Sequence, residues 1–284
     1  MIKRLCIIGT GLIGGSLARG LRAAGLVKTV IGCARNEENL KKAVELGVID
    51  EFDTNAATAV SDADVIVLAV PVGAMAAVFA EIKDQIKPGA VITDVGSTKA
   101  SVVDAARSAF AELPAGFVPG HPIAGTEQSG VEASFAELFN NRRVILTPLD
   151  SSSADAVKVV SDMWSACGAE VIELSVEHHD EVLAATSHLP HVLAYALVDT
   201  LARMHEHQEI FNFAAGGFKD FTRIASSDPG MWHDICLANR DALLVMLRRF
   251  GDDLQKLTDA IERSDSDYLK ETFERAKQAR DEHC

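Results

Sequence analysis

The sequence predicts an α/β fold: a parallel β-sheet with helices on both faces, followed by an all-α domain. Three features carry this expectation. Short β-rich runs alternate with helical stretches through the first 175 residues. The first run enters a glycine turn, Gly9-Thr10-Gly11-Leu12-Ile13-Gly14, that opens a helix. Beyond Ser175 no β-rich run recurs, while apolar residues keep helical spacing. The expected domains are residues 1–175 and 176–284.

In chain order, the candidate strands are Leu5 to Ile8, Thr29 to Cys33, Val65 to Val70, Ala90 to Asp94, Phe117 to Pro119, Val144 to Thr147 and Val171 to Leu174. Their punctuation supports the assignment. Pro71 closes the third, Pro88-Gly89 opens the fourth, and Ser151-Ser152-Ser153 offers N-caps for a helix running to about Cys167. In the second domain, helical periodicity runs through Val182 to Met204 and Ala242 to Ile261. Helices apolar on more than one side need further partners, and about 110 residues offer few. Two copies are therefore expected to associate through these helices as a homodimer.

Composition narrows the function classes. The 284 residues are 48% hydrophobic and 24% charged, with 27 Lys+Arg against 41 Asp+Glu and a formal net charge of −14. Such an acidic chain argues against nucleic acid or an anionic membrane as partner. An anionic ligand has to be held locally, which screening over about 8 Å at physiological ionic strength allows. Five cysteines, Cys6, Cys33, Cys167, Cys236 and Cys284, form no C-x-x-C pair and suit reduced thiols in a cytoplasm. Lys3-Arg4 followed by Leu5-Cys6-Ile7-Ile8 imitates a secretory leader, but Gly9 and Gly11 cut the apolar run at once, as a buried strand entering a turn would. No apolar run approaches the ~20 residues needed to cross a bilayer.

Each glycine of the first turn has a steric role. Gly9 permits the tight turn, Gly11 lets backbone approach a pyrophosphate, and Gly14 lets helix and strand pack closely. At the first strand of a β-α-β unit this is a dinucleotide-binding, Rossmann-type arrangement rather than a bare glycine bend. Leu12, Ile13, Val70 and Pro71 are assigned to the same cofactor site. The second strand bears on the cofactor's 2′ position. It ends Gly32-Cys33-Ala34-Arg35-Asn36, without the acid that usually accepts from the ribose hydroxyls of NAD. Arg35 offers a guanidinium suited to a phosphate, so NADP is the expected cofactor, with NAD as the alternative in which Arg35 stacks on adenine.

Four further motifs carry chemistry. Gly120-His121-Pro122-Ile123-Ala124-Gly125 sets one imidazole among glycines and a proline after a short apolar strand. Hydride leaves a carbinol carbon only as its hydroxyl loses a proton, and a neutral imidazole can take that proton. Asp94-Val95-Gly96-Ser97-Thr98-Lys99 follows a strand at the sheet edge where ligands sit, and Ser97 reads as either a ligand contact or a helix cap. In Ser187-His188-Leu189-Pro190-His191, residues 187, 188 and 191 are helical neighbours, and the proline implies a kink. A metal there would lack a third ligand. Lys219 and Arg223, within Gly217-Phe218-Lys219-Asp220-Phe221-Thr222-Arg223, stand one helical turn apart and repel unless an anion lies between them.

In this order, the glycine turn and the three later segments that carry His121, His191 and Arg223 resemble the prephenate/arogenate dehydrogenase family of tyrosine biosynthesis, from about residue 3 to about residue 280. The resemblance implies oxidative decarboxylation of prephenate or arogenate, with hydride transfer to NADP or NAD. It places catalytic roles on His121 and on Ser97, which it puts against both nicotinamide and substrate. Arg223 falls on the ring carboxylate, joined by Lys219, while Ser187, His188, His191 and Thr126 become contacts around the substrate and nicotinamide. Asp228-Pro229-Gly230-Met231-Trp232 completes the resembling stretch, with Trp232 a packing residue or pocket wall. The chain starts almost at the first strand and ends without a β-rich module, so tyrosine feedback is expected to act at the active site. A β-hydroxyacid dehydrogenase or imine reductase has a similar architecture, and a non-catalytic NAD(P)-sensing protein is the alternative of another class.

Overall fold

Ile2–Ile8 forms the first strand, β1, whose inner residues are buried on both sides: Leu5 and Ile7 face one apolar cluster, Cys6 and Ile8 another. Only a strand in the middle of a doubly covered sheet has this property. The computed structural model describes every residue except Glu127, Glu206 and Cys284, and the backbone alone of His207. It comprises two units, Met1–Arg240 and Asp241–Cys284.

In the first unit, β1 leads through α1 (Leu12–Ala23), β2 (Val27–Cys33), α2 (Glu37–Glu45), β3 (Glu51–Asp53), α3 (Ala56–Val60), β4 (Val65–Leu68), α4 (Met75–Ile82), β5 (Val91–Asp94) and α5 (Ala100–Ala109) to β6 (Phe117–Val118). The six strands form a parallel sheet in the order β3-β2-β1-β4-β5-β6. Apolar residues of α1 and α2 cover one face, and those of α3, α4 and α5 the other. β3 has no signal in the sequence, because Glu51-Phe52-Asp53 is a three-residue edge strand with no apolar run.

A second sheet departs from expectation. After β6 the chain passes Pro119 and forms β7 (Gly120–Pro122), antiparallel to β8 (Arg143–Leu146), which is parallel to β9 (Glu170–Glu173). The last two strands were expected in the large sheet. Pro119 has no N–H to extend the β6 ladder, and its carbonyl instead accepts from Thr147 at 2.9 Å. The residue carrying the imidazole is thus on a strand rather than in a loop. Between β8 and β9 runs α6 (Ala154–Ala166), capped by Ser153, whose Oγ accepts from Ala156 N at 3.2 Å.

From Val176 onward every described element is helical. α7 (Val176–Leu183) passes through a π-helical turn, Ala184–His188, into α8 (Leu189–Ala202). Pro190, in the first turn of α8, lacks the N–H that a continuous α-helix would use, and the wider turn ahead of it absorbs the defect. α9 (His207–Asn212), α10 (Gly216–Thr222), a 3₁₀ turn (Arg223–Ser226) and α11 (Pro229–Ala238) follow. α12 (Arg240–Glu262), from its second residue onward, and α13 (Ser266–His283) lie in the second unit, where Val245, Leu254, Ile261 and Phe273 are exposed. Among the described residues no helix is long and apolar enough to cross a membrane, and Cys6, Cys33, Cys167 and Cys236 are free thiols. Cys284 lies outside the described residues.

Candidate active site

The registers of β1, β2, β4 and β5 bring Ile8, Cys33, Leu68 and Asp94 level at the carboxyl edge of the large sheet. The segments that leave this edge carry the site. At the glycine turn, Gly9 has φ +104°, and a Cβ there would lie 2.2 Å from the Ala69 carbonyl oxygen. A Cβ on Gly14 would lie 2.2 Å from the Gly9 carbonyl oxygen. Gly11 differs: a Cβ there would meet nothing within 4 Å. It is the N-cap of α1, no side chain caps that helix, and no acidic residue stands in its first turn. Open space above uncapped amides, with Leu12 and Ile13 beginning the helix, fits a dinucleotide pyrophosphate. Arg35 is exposed just past β2, and Val70 and Pro71 follow β4 beside the same turn.

Asp94 ends β5 and forms an ion pair with Lys99, both fully buried. One Asp94 oxygen accepts from Gly120 N at 3.1 Å, while Lys99 Nζ donates to Gly120 O at 2.7 Å. The pair therefore holds both backbone polar groups of the residue before His121. A buried pair of this kind is poor evidence for stability, since desolvation offsets much of the attraction. Its geometric effect is clear: it fixes the strand that carries the imidazole. Burial pulls the Lys99 ammonium below its usual pKa, against the opposing influence of Asp94.

His121 is 8% exposed. Its Nδ1 lies 2.9 Å from Nε2 of His179, and His179 Nδ1 lies 2.7 Å from Asp180 Oδ1. Asp180 also accepts from the backbone amides of Lys99 at 2.7 Å and Ala100 at 2.9 Å, capping α5 from another helix. Ser97, read from sequence as a cap or a contact, is not the cap: Lys99 holds that position and Ser97 stands half-buried in the preceding turn. Burial raises the Asp180 carboxyl, but the bonds from His179 and the two amides outweigh it and hold the group below its usual range.

An ionised Asp180 can only accept, so His179 carries its proton on Nδ1 and leaves Nε2 bare. His121 then donates from Nδ1, and its own Nε2 is the bare atom, ready to take a proton. Burial, with His179 and Lys99 nearby, holds the His121 pKa well below that of a free imidazole. Burial also lowers His179, and the bond to Asp180 only partly offsets this. Sequence reading missed His179 and Asp180. A signal existed: His179, Asp180 and Leu183 share the buried face of α7, whereas His178 is exposed.

The π-helical turn places the next residues. His188 is buried, and its Nδ1 lies 3.0 Å from Nδ2 of Asn239. Half-buried Ser187 offers its carbonyl to His191 Nδ1 at 2.9 Å, which leaves His191 Nε2 bare. The His191 ring stacks on Trp232, with centroids 3.6 Å apart and planes at 19°. Trp232 is thus the wall against which His191 is set. Lys219 in α10 and Arg223 in the following turn are both exposed. That segment is tied to α8 by Tyr195 Oη, which donates to Ser227 O at 2.6 Å. Thr126 is exposed, and its Oγ1 accepts from Gln128 N at 3.2 Å. Among the described residues no group of three His, Cys, Asp or Glu could hold a metal.

A glycine turn at the carboxyl edge of a parallel sheet, together with a largely buried imidazole held neutral, fits a dinucleotide-dependent dehydrogenase. The prephenate dehydrogenase nucleotide-binding domain profile matches residues 17–173, and the prephenate dehydrogenase dimerization domain profile matches residues 175–275. The chain is 41% identical over 283 residues to the cyclohexadienyl dehydrogenase of Zymomonas mobilis, covering 99% of this chain and 96% of that one. It is 37% identical to the prephenate dehydrogenase of Bacillus subtilis, covering 99% of this chain and 76% of that one. The crystal structure of A. aeolicus prephenate dehydrogenase in complex with hydroxyphenyl propionate and NAD+ superposes with a TM-score of 0.93 at 39% identity, covering 99% of this chain and 98% of that one. The chain belongs to the prephenate dehydrogenase family, and residues 17–173 are that family's nucleotide-binding domain.

Proposed function

We propose that this chain carries out the family's oxidative decarboxylation, on prephenate, arogenate or both, with His121 as the proton acceptor and NADP as the preferred cofactor. The observation that supports it most is the Asp180–His179–His121 chain, which leaves the Nε2 of a largely buried imidazole without a proton. A nicotinamide, when bound, accepts the hydride from the ring carbon that bears the hydroxyl. His121 Nε2 takes the hydroxyl proton as that hydride leaves. The carboxylate on the opposite ring carbon departs as carbon dioxide, its bonding electrons complete the aromatic ring, and His121 returns the proton to the phenolic oxygen.

Arg223, with Lys219, anchors the ring carboxylate and orients the hydride toward the cofactor edge. Ser97 touches nicotinamide and substrate, and Ser187, His188, His191 and Thr126 surround the ring and its side chain. Gly9, Gly11, Leu12, Ile13, Gly14, Val70 and Pro71 hold the dinucleotide. Residues 1–175 form the cofactor domain, and residues 176–284 the substrate domain that pairs two copies. Tyrosine, similar in shape to the product, competes at the same site.

Support for NADP comes from Arg35, exposed beyond β2 beside uncharged Ala34, where a 2′-phosphate would gain a guanidinium and meet no carboxylate from that strand end. The β-hydroxyacid dehydrogenase and imine reductase readings rest on architecture alone. The deciding experiment measures kcat/KM for prephenate and arogenate with each cofactor, in wild type and Arg35→Ala. NADP preferred, and weakened about 10-fold by the substitution, is the expected result. A preference for NAD that Arg35→Ala leaves unchanged refutes the cofactor reading, and no turnover of either substrate refutes the activity.

A further inference from the structure

We propose that Asn239 is a positioning residue for this reaction: its side-chain amide fixes His188 in the Nε2–H tautomer and ties it to the main chain of Asp180. The inference rests on the function proposed above. It starts from a residue at the C-terminal end of α11 that no motif contains.

Asn239 is 5% exposed. Its Nδ2 donates to Asp180 O at 2.8 Å and lies 3.0 Å from His188 Nδ1. A carbonyl oxygen can only accept, so the atom facing Asp180 is the amide nitrogen, and its second hydrogen points at His188. Nδ1 of His188 must then be bare, which leaves the ring proton on Nε2. Protonating Nδ1 would set two donors against each other in a buried place. The ring is otherwise enclosed: its edge meets Trp232, with centroids 6.1 Å apart, and Asp180, His179 and His191 are the titratable groups acting on it. The Ser97 main chain also acts on this ring, favouring its protonated form. Burial pushes the His188 pKa down to about 4, in keeping with a ring that stays neutral.

Three segments remote in sequence therefore meet at one amide. The turn that carries Ser97 reaches it through His188. Asp180, whose carboxylate sets the tautomers of His179 and His121, reaches it through its own carbonyl. The end of α11 supplies it. In this arrangement Asn239 fixes His188, whose ring also feels the Ser97 main chain, and His188 moves no proton. A displacement at Asn239 passes to both the nicotinamide-side turn and the proton-accepting chain.

The test uses the full-length protein and two readouts. In wild type labelled with ¹⁵N-histidine, with the His188 signals assigned by difference from His188→Gln, His188 should show a bare Nδ1 and a protonated Nε2 from about pH 8 to about pH 5. Asn239→Asp keeps the shape but places an acceptor against Nδ1. His188 should then become cationic, kcat should fall ~10-fold or more with the cofactor KM within ~2-fold, and kcat should rise with pH as the added proton leaves. Asn239→Ala should lower kcat without creating that new ionisation. A wild-type proton on Nδ1 overturns the proposal. So does an Asn239→Asp enzyme whose His188 stays neutral and whose pH profile is unmoved. The tautomer is readable whether or not prephenate is turned over, so failure of the proposal and failure of the assigned activity are separable.

Discussion

The two ends of the candidate site differ in their access to water. Around His121, the residues Asp94, Lys99 and His179 are fully buried and His121 itself nearly so, whereas Thr126, Lys219 and Arg223 lie at the surface. Two unit charges 4 Å apart interact by about 1 kcal/mol in water but about 4 kcal/mol at an effective dielectric of 20. The buried end can therefore fix tautomers and hold an imidazole neutral with a few groups. The exposed end can only attract and orient charge. The proposed reaction assigns proton transfer to the first and anchoring to the second, and this division can be tested one end at a time.

The largest effect should come from His121→Asn, which removes the proposed proton acceptor but keeps a polar side chain of similar reach. Steady-state kinetics should show kcat down ~100-fold or more with substrate KM little changed. Unchanged turnover would erase the contrast altogether. Asp180→Asn should come next. An amide lacks the charge that holds the proton on His179 Nδ1, and its NH2 must meet a backbone N–H of Lys99 or Ala100, so the chain that sets the His121 tautomer is loosened. A fall in kcat of ~10-fold to ~100-fold is expected, read alongside the histidine ¹⁵N signals that report the tautomers of His179 and His121. At the exposed end, Arg223→Ala should raise the substrate KM ~10-fold while kcat changes far less, measured with saturating cofactor. A kcat loss equal to that of His121→Asn would mean that anchoring and chemistry are not separate.

The smallest effect sharpens the comparison by its near absence. An unshifted imidazole at pH ~6 would be mostly protonated, and an enzyme needing it neutral would lose ~4-fold in rate. His121 has a pKa held well below 6.5, so its neutral form persists as pH falls through that value. Between about pH 8 and about pH 6, kcat should fall less than ~2-fold in a pH-rate profile at saturating substrate.

The same contrast explains what the sequence made legible. The glycine turn and the strands leading to Asp94 are local patterns, and they reappear where expected. What stayed hidden was long-range. Asp180 caps α5 from 80 residues away, and Asn239 reaches His188 across 51; spacing along the chain does not encode such meetings. His179 was obscured by its neighbours, since Val176-Glu177-His178-His179-Asp180 reads as a charged helix start until Leu183 shows which face is inward. The small sheet was hidden because β7 is three residues long and contains a proline.

Between Val118, the last residue of the six-stranded sheet, and Gly120, the first of the three-stranded one, stands only Pro119. The crossing has no slack. Side chains on a strand alternate from one side to the other, so a single inserted residue there would turn the imidazole away from its partner. The exposed stretch that follows, with Thr126 and Gln128, is under no such restriction. A residue added after His121 would thus leave the aim of the imidazole intact, whereas one added before it would not.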